Sequence, residues 1–265
     1  MPARKNVMKQ AMLDGKLAVS LTANRWRSAE IATIAELTGY EWLFIDLEHG
    51  VMTEDQASQI AIAAIHANVT PIARVGIGEF SKASRLLDAG MQGITFPHIE
   101  TREDAVQTVE ATKYGPAGAR GGYHPLVQAY HVNRCAGELL EQLNDETLNI
   151  VMIESPLGVE NVDDIASTPG LDAIQVGTND LSISMGFAGN VDHPDVVEAC
   201  AKVADATRRH NKFFGMGGVY TAEGMEKYLK LGMNFMHGGA DVGFLIDGAR
   251  ARRTLIEKLA SSATK

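Results

Sequence analysis

An α/β fold closed into a (β/α)8 TIM barrel follows from three features of the sequence: eight short apolar runs, amphipathic segments between them, and a length of 265 residues. The runs are almost continuously apolar, not alternating, which is the pattern of parallel strands buried on both faces. Strand-helix alternation repeated eight times over this length fits one closed barrel. An open doubly wound sheet is the second candidate architecture.

In chain order, MPARKNVMKQAML reads as a first helix, with neither the apolar core nor the cleavage site of a signal peptide. The expected strands are 17–22 (LAVSLT), 42–47 (WLFIDL), 70–75 (TPIARV), 92–97 (QGITFP), 149–154 (NIVMIE), 172–177 (DAIQVG), 212–217 (KFFGMG) and 234–239 (NFMHGG). Helical patterns occupy 28–39, 54–67, 79–89, 102–113, 158–167, 194–210 and 222–231, the first opening at a Ser28 cap and stopping near Gly39. One long helix is expected after GADVGFL, with Arg250, Arg252 and Arg253 as surface charges. The long connection, 114–148, carries Arg120, His124, Tyr130, His131 and Arg134. Long connections in compact domains tend to be functional; this one reads either as a solvated loop with a short helix or as a lid that selects the substrate.

No Pro-rich or Gly/Ser tract divides the chain, so one domain is expected over 1–265. A net charge of −9 argues against nucleic-acid binding and leaves room for small anionic substrates in a locally positive cleft. No segment has the ~20 apolar residues of a membrane span, so a cytoplasmic protein is expected. Cys135 and Cys200 lack metal-type spacing and read as structural thiols.

Chemistry-bearing residues gather at expected strand ends, where barrels place their active sites. Glu154 ends NIVMIE and Asp180 follows AIQVGTN. Two such carboxylates suit a hard divalent metal completed by water and substrate oxygens, Mg²⁺ or Mn²⁺ before Zn²⁺. Glu154 alternatively reads as a salt-bridged structural acid, and Asp180 as a helix N-cap. WLFIDLEHG carries Asp46, Glu48 and His49. A histidine oriented by a carboxylate suits general base work. Arg74 in TPIARVG suits an enolate or carboxylate oxygen, or a structural ion pair with a strand-end acid. Backbone N–H groups of Gly177, Thr178 and Asn179 lie where a substrate carboxylate is held. His237 reads as bordering the barrel mouth. No strand end offers an obvious Schiff-base lysine, although Lys212 begins the seventh run.

The ordered motifs WLFIDLEHG, PIARVG, LLDAGMQGITFPHIET, YGPAGARG, VMIESPLGVENVDDI and GTNDLSISMGFAGNVDHP resemble the HpcH/HpaI aldolases, metal-dependent class II pyruvate aldolases typified by 4-hydroxy-2-oxoheptanedioate aldolase. The resemblance runs over about residues 5–258. It implies Glu154 and Asp180 as metal ligands (Mg²⁺ or Mn²⁺, with Co²⁺ or Zn²⁺ as further options) and Arg74 as the residue steadying the pyruvate enolate. It implies a His49–Asp46 dyad for the proton and a carboxylate site at Gly177–Asn179, next to Asp180. It also implies a homo-hexamer, a dimer of trimers, in which the C-terminal helix packs on a neighbouring subunit. The chain departs from the family where GPADLS becomes GTNDLS, where Met152 replaces a glutamine two residues before the metal glutamate, in the position of Trp26, and in the loop GGYHPLVQAYHV.

The expected function is reversible retro-aldol cleavage of a 4-hydroxy-2-oxo acid to pyruvate and an aldehyde, with aromatic or sugar-acid catabolism as the setting by analogy alone. Alternatives on the same scaffold are oxaloacetate decarboxylation, a CoA-thioester lyase of the citramalyl- or malyl-CoA type, and a macrophomate-synthase-like role. A non-catalytic barrel that binds a 2-oxo acid is the rival from another class.

Overall fold

In a computed structural model describing residues 3–122, 126–129 and 137–263, eight parallel strands close on themselves in the order β1 to β8. The elements run α1 (Val7–Leu13), β1 (Ala18–Ala23), α2 (Glu30–Thr38), β2 (Trp42–Asp46), α3 (Glu54–His66), β3 (Thr70–Arg74), α4 (Phe80–Asp88) and β4 (Gly93–Phe96). Then follow α5 (Arg102–Thr112), α6 (Leu126–Ala129), α7 (Gly137–Glu146), β5 (Leu148–Ile153), α8 (Pro156–Glu160), α9 (Val162–Ala166), β6 (Ala173–Gly177) and α10 (Thr178–Ser184). The chain continues with α11 (Pro194–Arg209), β7 (Phe213–Gly217), α12 (Ala222–Leu229), β8 (Phe235–Ala240) and α13 (Asp241–Ala263). Every strand lies within one residue of its expected bounds.

Local chemistry accounts for the helix starts. Thr53 and Thr101 each close a reciprocal capping box, with Gln56 and Asp104 respectively. Gly39 ends α2 in the left-handed conformation, as expected. Three expectations change. Ser28 does not cap α2, whose N-cap is Ala29 with no side-chain cap bond. The segment 158–167 is two short helices that meet at Asn161, whose side chain donates to the Glu100 carbonyl. The segment after β6 is itself helical, α10, capped by Gly177, so Asp180 sits within its first turn and is not its N-cap.

The strand period of two divides the core. On β2, Leu43 and Ile45 pack outward beneath the helices, while Trp42 and Phe44 face the barrel interior. The same alternation turns Ile72 on β3 and Leu148 and Ile150 on β5 inward. Met8, Ala11 and Met12 of α1 join this interior cluster and plug the N-terminal end of the barrel. Further along the same inward rows, at the open C-terminal end, stand Asp46 and Arg74, one step beyond Phe44 and Ile72, and Glu154, two steps beyond Ile150. Their polarity there is a consequence of register.

Among the described residues, no helix is long and apolar enough to cross a membrane. His124, Tyr130, His131, Arg134 and Cys135 lie outside the described residues. Cys200 is buried, and burial pushes its thiol up to about 12. Arg250 and Arg253 lie on the exposed face of α13, paired within the helix to Asp247 and Glu257.

Candidate active site

A cleft of about 260 Å³ opens at the C-terminal end of the barrel. Asp46, His49, Arg74, Glu154, Gly177, Thr178, Asn179 and Asp180 all line it, together with His237. The expected site residues, scattered over 135 positions from Asp46 to Asp180, therefore meet in one place. Among the described residues no lysine lines the cleft: Lys212 lies at the opposite end of β7, where its ammonium donates to the carbonyls of Thr168 and Leu171.

Arg74 and Asp46 form a bidentate pair, Nε to Oδ1 at 3.0 Å and Nη2 to Oδ2 at 2.8 Å. Residues 46 and 74 are register partners of β2 and β3, which sets the two side chains side by side. The remaining arm, Nη1, meets Glu48 Oε2 at 3.0 Å. Asp46 also accepts N–H bonds from Glu48 and His49. Burial pushes the Asp46 carboxyl up, but the Arg74 fork and the two backbone donors outweigh it and hold the carboxyl below its usual range. Burial alone would lower Arg74; Asp46, Glu48 and Glu154 reverse that, so the guanidinium stays charged.

This geometry corrects the expected His49–Asp46 dyad. The Asp46 oxygens are turned to Arg74, and Asp46 meets His49 through its backbone N–H, not its ring. The exposed imidazole of His49 instead lies 3.8 Å from Glu48 Oε2. Sequence adjacency cannot reveal this, because the bidentate match of a planar guanidinium to a carboxylate outcompetes a single imidazole contact.

Glu154 is 2% exposed. Its Oε2 accepts the backbone N–H of His98 at 3.0 Å, and the His98 ring nitrogen lies 3.9 Å away. His98, at a positive φ just after β4, was not anticipated as a neighbour of the acid. Burial raises the Glu154 carboxyl, His98 and Arg74 oppose the shift, and the Asp180 charge adds to it. A buried acid pushed upward by its surroundings and by a second acid is poised to take up a cation.

The donor set fits a divalent metal of a particular kind. No group of three or more His, Cys, Asp or Glu side chains converges for metal binding among the described residues. Glu154 and Asp180 thus offer two oxygen donors and leave the other positions to water and substrate, which suits Mg²⁺ or Mn²⁺ and not a closed zinc site.

Glycines make the cradle. A Cβ on Gly177 would overlap Glu154 Oε1 and come within 2.9 Å of its Cδ. Gly218, at φ +92°, packs against the side chains of Thr178 and Asn179, and Thr178 Oγ1 donates to the Gly217 carbonyl at 2.6 Å. Gly177→Ala is therefore expected to displace the Glu154 carboxylate. Metal affinity should fall about 10- to 100-fold, the range for groups that orient a ligand, with about 1–3 kcal/mol of overpacking. Metal titration and urea unfolding measure the two effects separately.

Comparison with known proteins identifies the family. The profile of the HpcH/HpaI aldolase/citrate lyase family matches residues 25–248. The 5-keto-4-deoxy-D-glucarate aldolase of Salmonella paratyphi C (strain RKS4594) is 32% identical over 269 residues, covering 97% of this chain and 100% of the relative. Among solved structures, an HpcH/HpaI aldolase from Desulfitobacterium hafniense DCB-2 superposes with a TM-score of 0.87 at 27% identity, covering 94% of this chain and 96% of that one. The citrate synthase SbnG follows at 0.85 and 25% identity, covering 97% and 100%. The chain belongs to the HpcH/HpaI aldolase/citrate lyase family and is a carbon–carbon lyase of the aldolase type.

Proposed function

We propose that the enzyme catalyses reversible retro-aldol cleavage of a 4-hydroxy-2-oxo acid to a small 2-oxo acid and an aldehyde. The observation that carries this reading is the convergence of Glu154, Asp180 and Arg74 on one cleft, which no lysine among the described residues lines. The substrate named for the relatives, 5-keto-4-deoxy-D-glucarate, is itself a 4-hydroxy-2-oxo acid when numbered from its keto end.

Glu154 and Asp180 would hold the divalent ion, Mg²⁺ or Mn²⁺. When bound, the ion supplies Lewis-acid stabilisation of the negative charge that develops on the 2-oxo group. Arg74, kept charged by its acidic neighbours, presents a second positive group to the same oxygen. Asp46 fixes the plane of that guanidinium. The Gly177–Asn179 backbone beside Glu154 receives the substrate carboxylate. His49, with Glu48 near its ring, takes the C4 hydroxyl proton as the C3–C4 bond breaks and returns a proton to C3 of the leaving 2-oxo acid.

A panel of 4-hydroxy-2-oxo acids with oxaloacetate, assayed for 2-oxo acid release with Mg²⁺ or Mn²⁺, tests the reading. Release from hydroxy-oxo acids supports it, and the best substrate names the aldehyde half. Release from oxaloacetate alone moves the assignment to decarboxylation, and silence on every compound overturns it.

We propose also that the enzyme assembles with copies of itself through α13. Only Asp241 of its 23 residues is buried. Phe244, Leu245, Ile246, Leu255, Ile256 and Leu259 are all exposed on a single copy, an apolar surface that asks for a partner. Light scattering is expected to give the hexamer implied by the family resemblance. Leu245→Glu with Ile256→Glu should reduce it to smaller species; a wild-type monomer would contradict the assembly.

A further inference from the structure

The helix that carries the exposed apolar surface leaves the barrel at its first residue, Asp241, and the side chain of that residue turns back to the rim of the cleft. Its Oδ2 accepts the backbone N–H groups of Asn24, Arg25 and Trp26 at 3.0, 2.8 and 2.7 Å. Its Oδ1 accepts the N–H of Val242 at 2.7 Å. Three successive N–H groups that converge on one oxygen form a concave anion seat, and the chain fills that seat with its own carboxylate. The N-terminal end of a 23-residue helix favours an acid at the same place.

The segment held in this way, between β1 and α2, forms part of the cleft wall. Asn24 lines the cleft beside Thr22 and Ala240. The Asn24 carbonyl accepts the N–H of Val51 at 3.3 Å. Val51 closes the loop that carries Glu48 and His49. Gly50 is folded so tightly there that a Cβ on it would overlap the Asp46 carbonyl and lie 3.4 Å from the Asn24 carbonyl oxygen. A path of backbone and hydrogen bonds therefore runs from Asp241, through residues 24–26, to the loop of His49.

Without the carboxylate, three N–H groups face one another with no acceptor. Donors left in that state are costly, and the backbone turns to find other partners. The shift falls on the Asn24 carbonyl and so on Val51. Glu154 and Asp180 stand on other elements, after β5 and in α10, and take no part in the path.

We propose that Asp241 is a positioning residue for the cleavage reaction: it holds residues 24–26 in their anion-seat conformation and, through the bond between Asn24 and Val51, sets His49 against the substrate. The part of His49 rests on the aldolase reading. The hold on residues 24–26 does not.

Asp241→Ala and Asp241→Asn test this in the Mn²⁺-loaded enzyme, on 5-keto-4-deoxy-D-glucarate or the best acid of the panel. Asp241→Ala should lower kcat about 10- to 100-fold, the scale on which a small displacement of a reacting group is felt. KM and the calorimetric Kd for Mn²⁺ should stay as in wild type. Asp241→Asn keeps one acceptor oxygen on the same stem, and its kcat should fall between the two. The loop also has its own reporter. The chain has two tryptophans; Trp26 lies on the loop and is 37% exposed, and Trp42 is fully buried. Acrylamide should quench the Asp241→Ala variant more strongly than wild type, with light scattering giving the same assembly for both. A kcat that survives Asp241→Ala, a kcat that falls together with Mn²⁺ affinity or assembly, or unchanged quenching overturns the proposal. If Asp241→Ala fails to fold, Asp241→Asn decides: lowered kcat with Mn²⁺ affinity and assembly intact supports it, and any other combination overturns it. A wild type silent on every substrate removes the aldolase reading and the His49 step with it, while the quenching still decides the hold on residues 24–26.

Discussion

Glu154→Gln should lower turnover by on the order of 10³-fold or more while making the metal-free protein more resistant to heat. The first effect follows from the several kcal/mol that a Lewis-acid ion contributes to a developing oxyanion, at 1.36 kcal/mol per tenfold in rate. The second follows from electrostatics. Burial, reinforced by the Asp180 charge, raises the folded-state pKa of Glu154. A carboxyl raised on folding destabilises the fold where it is ionised, so the penalty sets in above the unfolded pKa, grows as pH rises through the folded pKa and is constant above it. Glutamine keeps the shape and an acceptor for the His98 N–H and removes the charge. Calorimetric melting of the two metal-stripped proteins at neutral pH should show the variant melting higher. A lower melting temperature in the variant would mean that Glu154 is a structural acid satisfied within the fold.

Asp46→Asn should act in the opposite direction on stability, and strongly. Asp46 and the Arg74 side chain are nearly inaccessible, and their contact is bidentate at 2.8 and 3.0 Å. Removing one charge of a buried pair costs about 3–5 kcal/mol because the other is left behind. Glu48 still faces Arg74, so the lower end of that range is expected. The folded pKa of Asp46 is depressed, so its contribution is present above the unfolded value of about 3.9 and is lost as pH falls through the lower folded value. Urea unfolding of wild type should therefore lose stability across that acidic window, and the variant should show a flatter profile. Equal stabilities at neutral pH would contradict the account of this pair. Turnover should fall as well, since the plane of the Arg74 guanidinium is then held by Glu48 alone.

These two residues also show what the sequence makes legible. Buried strands with a period of two announce themselves in WLFID and NIVMI, and the next inward position on each row had to be Asp46 and Glu154. The same counting reaches Arg74 from Ile72. Partner choice is less visible. Asp46 stands three residues from His49 in the chain but one strand from Arg74 in space, and the guanidinium takes its oxygens. The role of Asp180 as an N-cap was plausible until α10 placed the cap at Gly177, three residues earlier.

The floor of the cleft is legible by the same counting. Gln175 lies two residues before Gly177, and His237 two after Phe235, which puts both on inward rows. His237, read as bordering the barrel mouth, does line the cleft that opens there. His98 reaches Glu154 through its backbone, a contact that residue type cannot announce.

Activity of the metal-stripped enzyme on 5-keto-4-deoxy-D-glucarate or the best acid of the panel, before and after Mg²⁺ or Mn²⁺ is restored, tests the central claim most directly. The site of Glu154 and Asp180 predicts no 2-oxo acid release in EDTA and full recovery on adding the ion. Undiminished release in EDTA would contradict it, and the two carboxylates would then need another role.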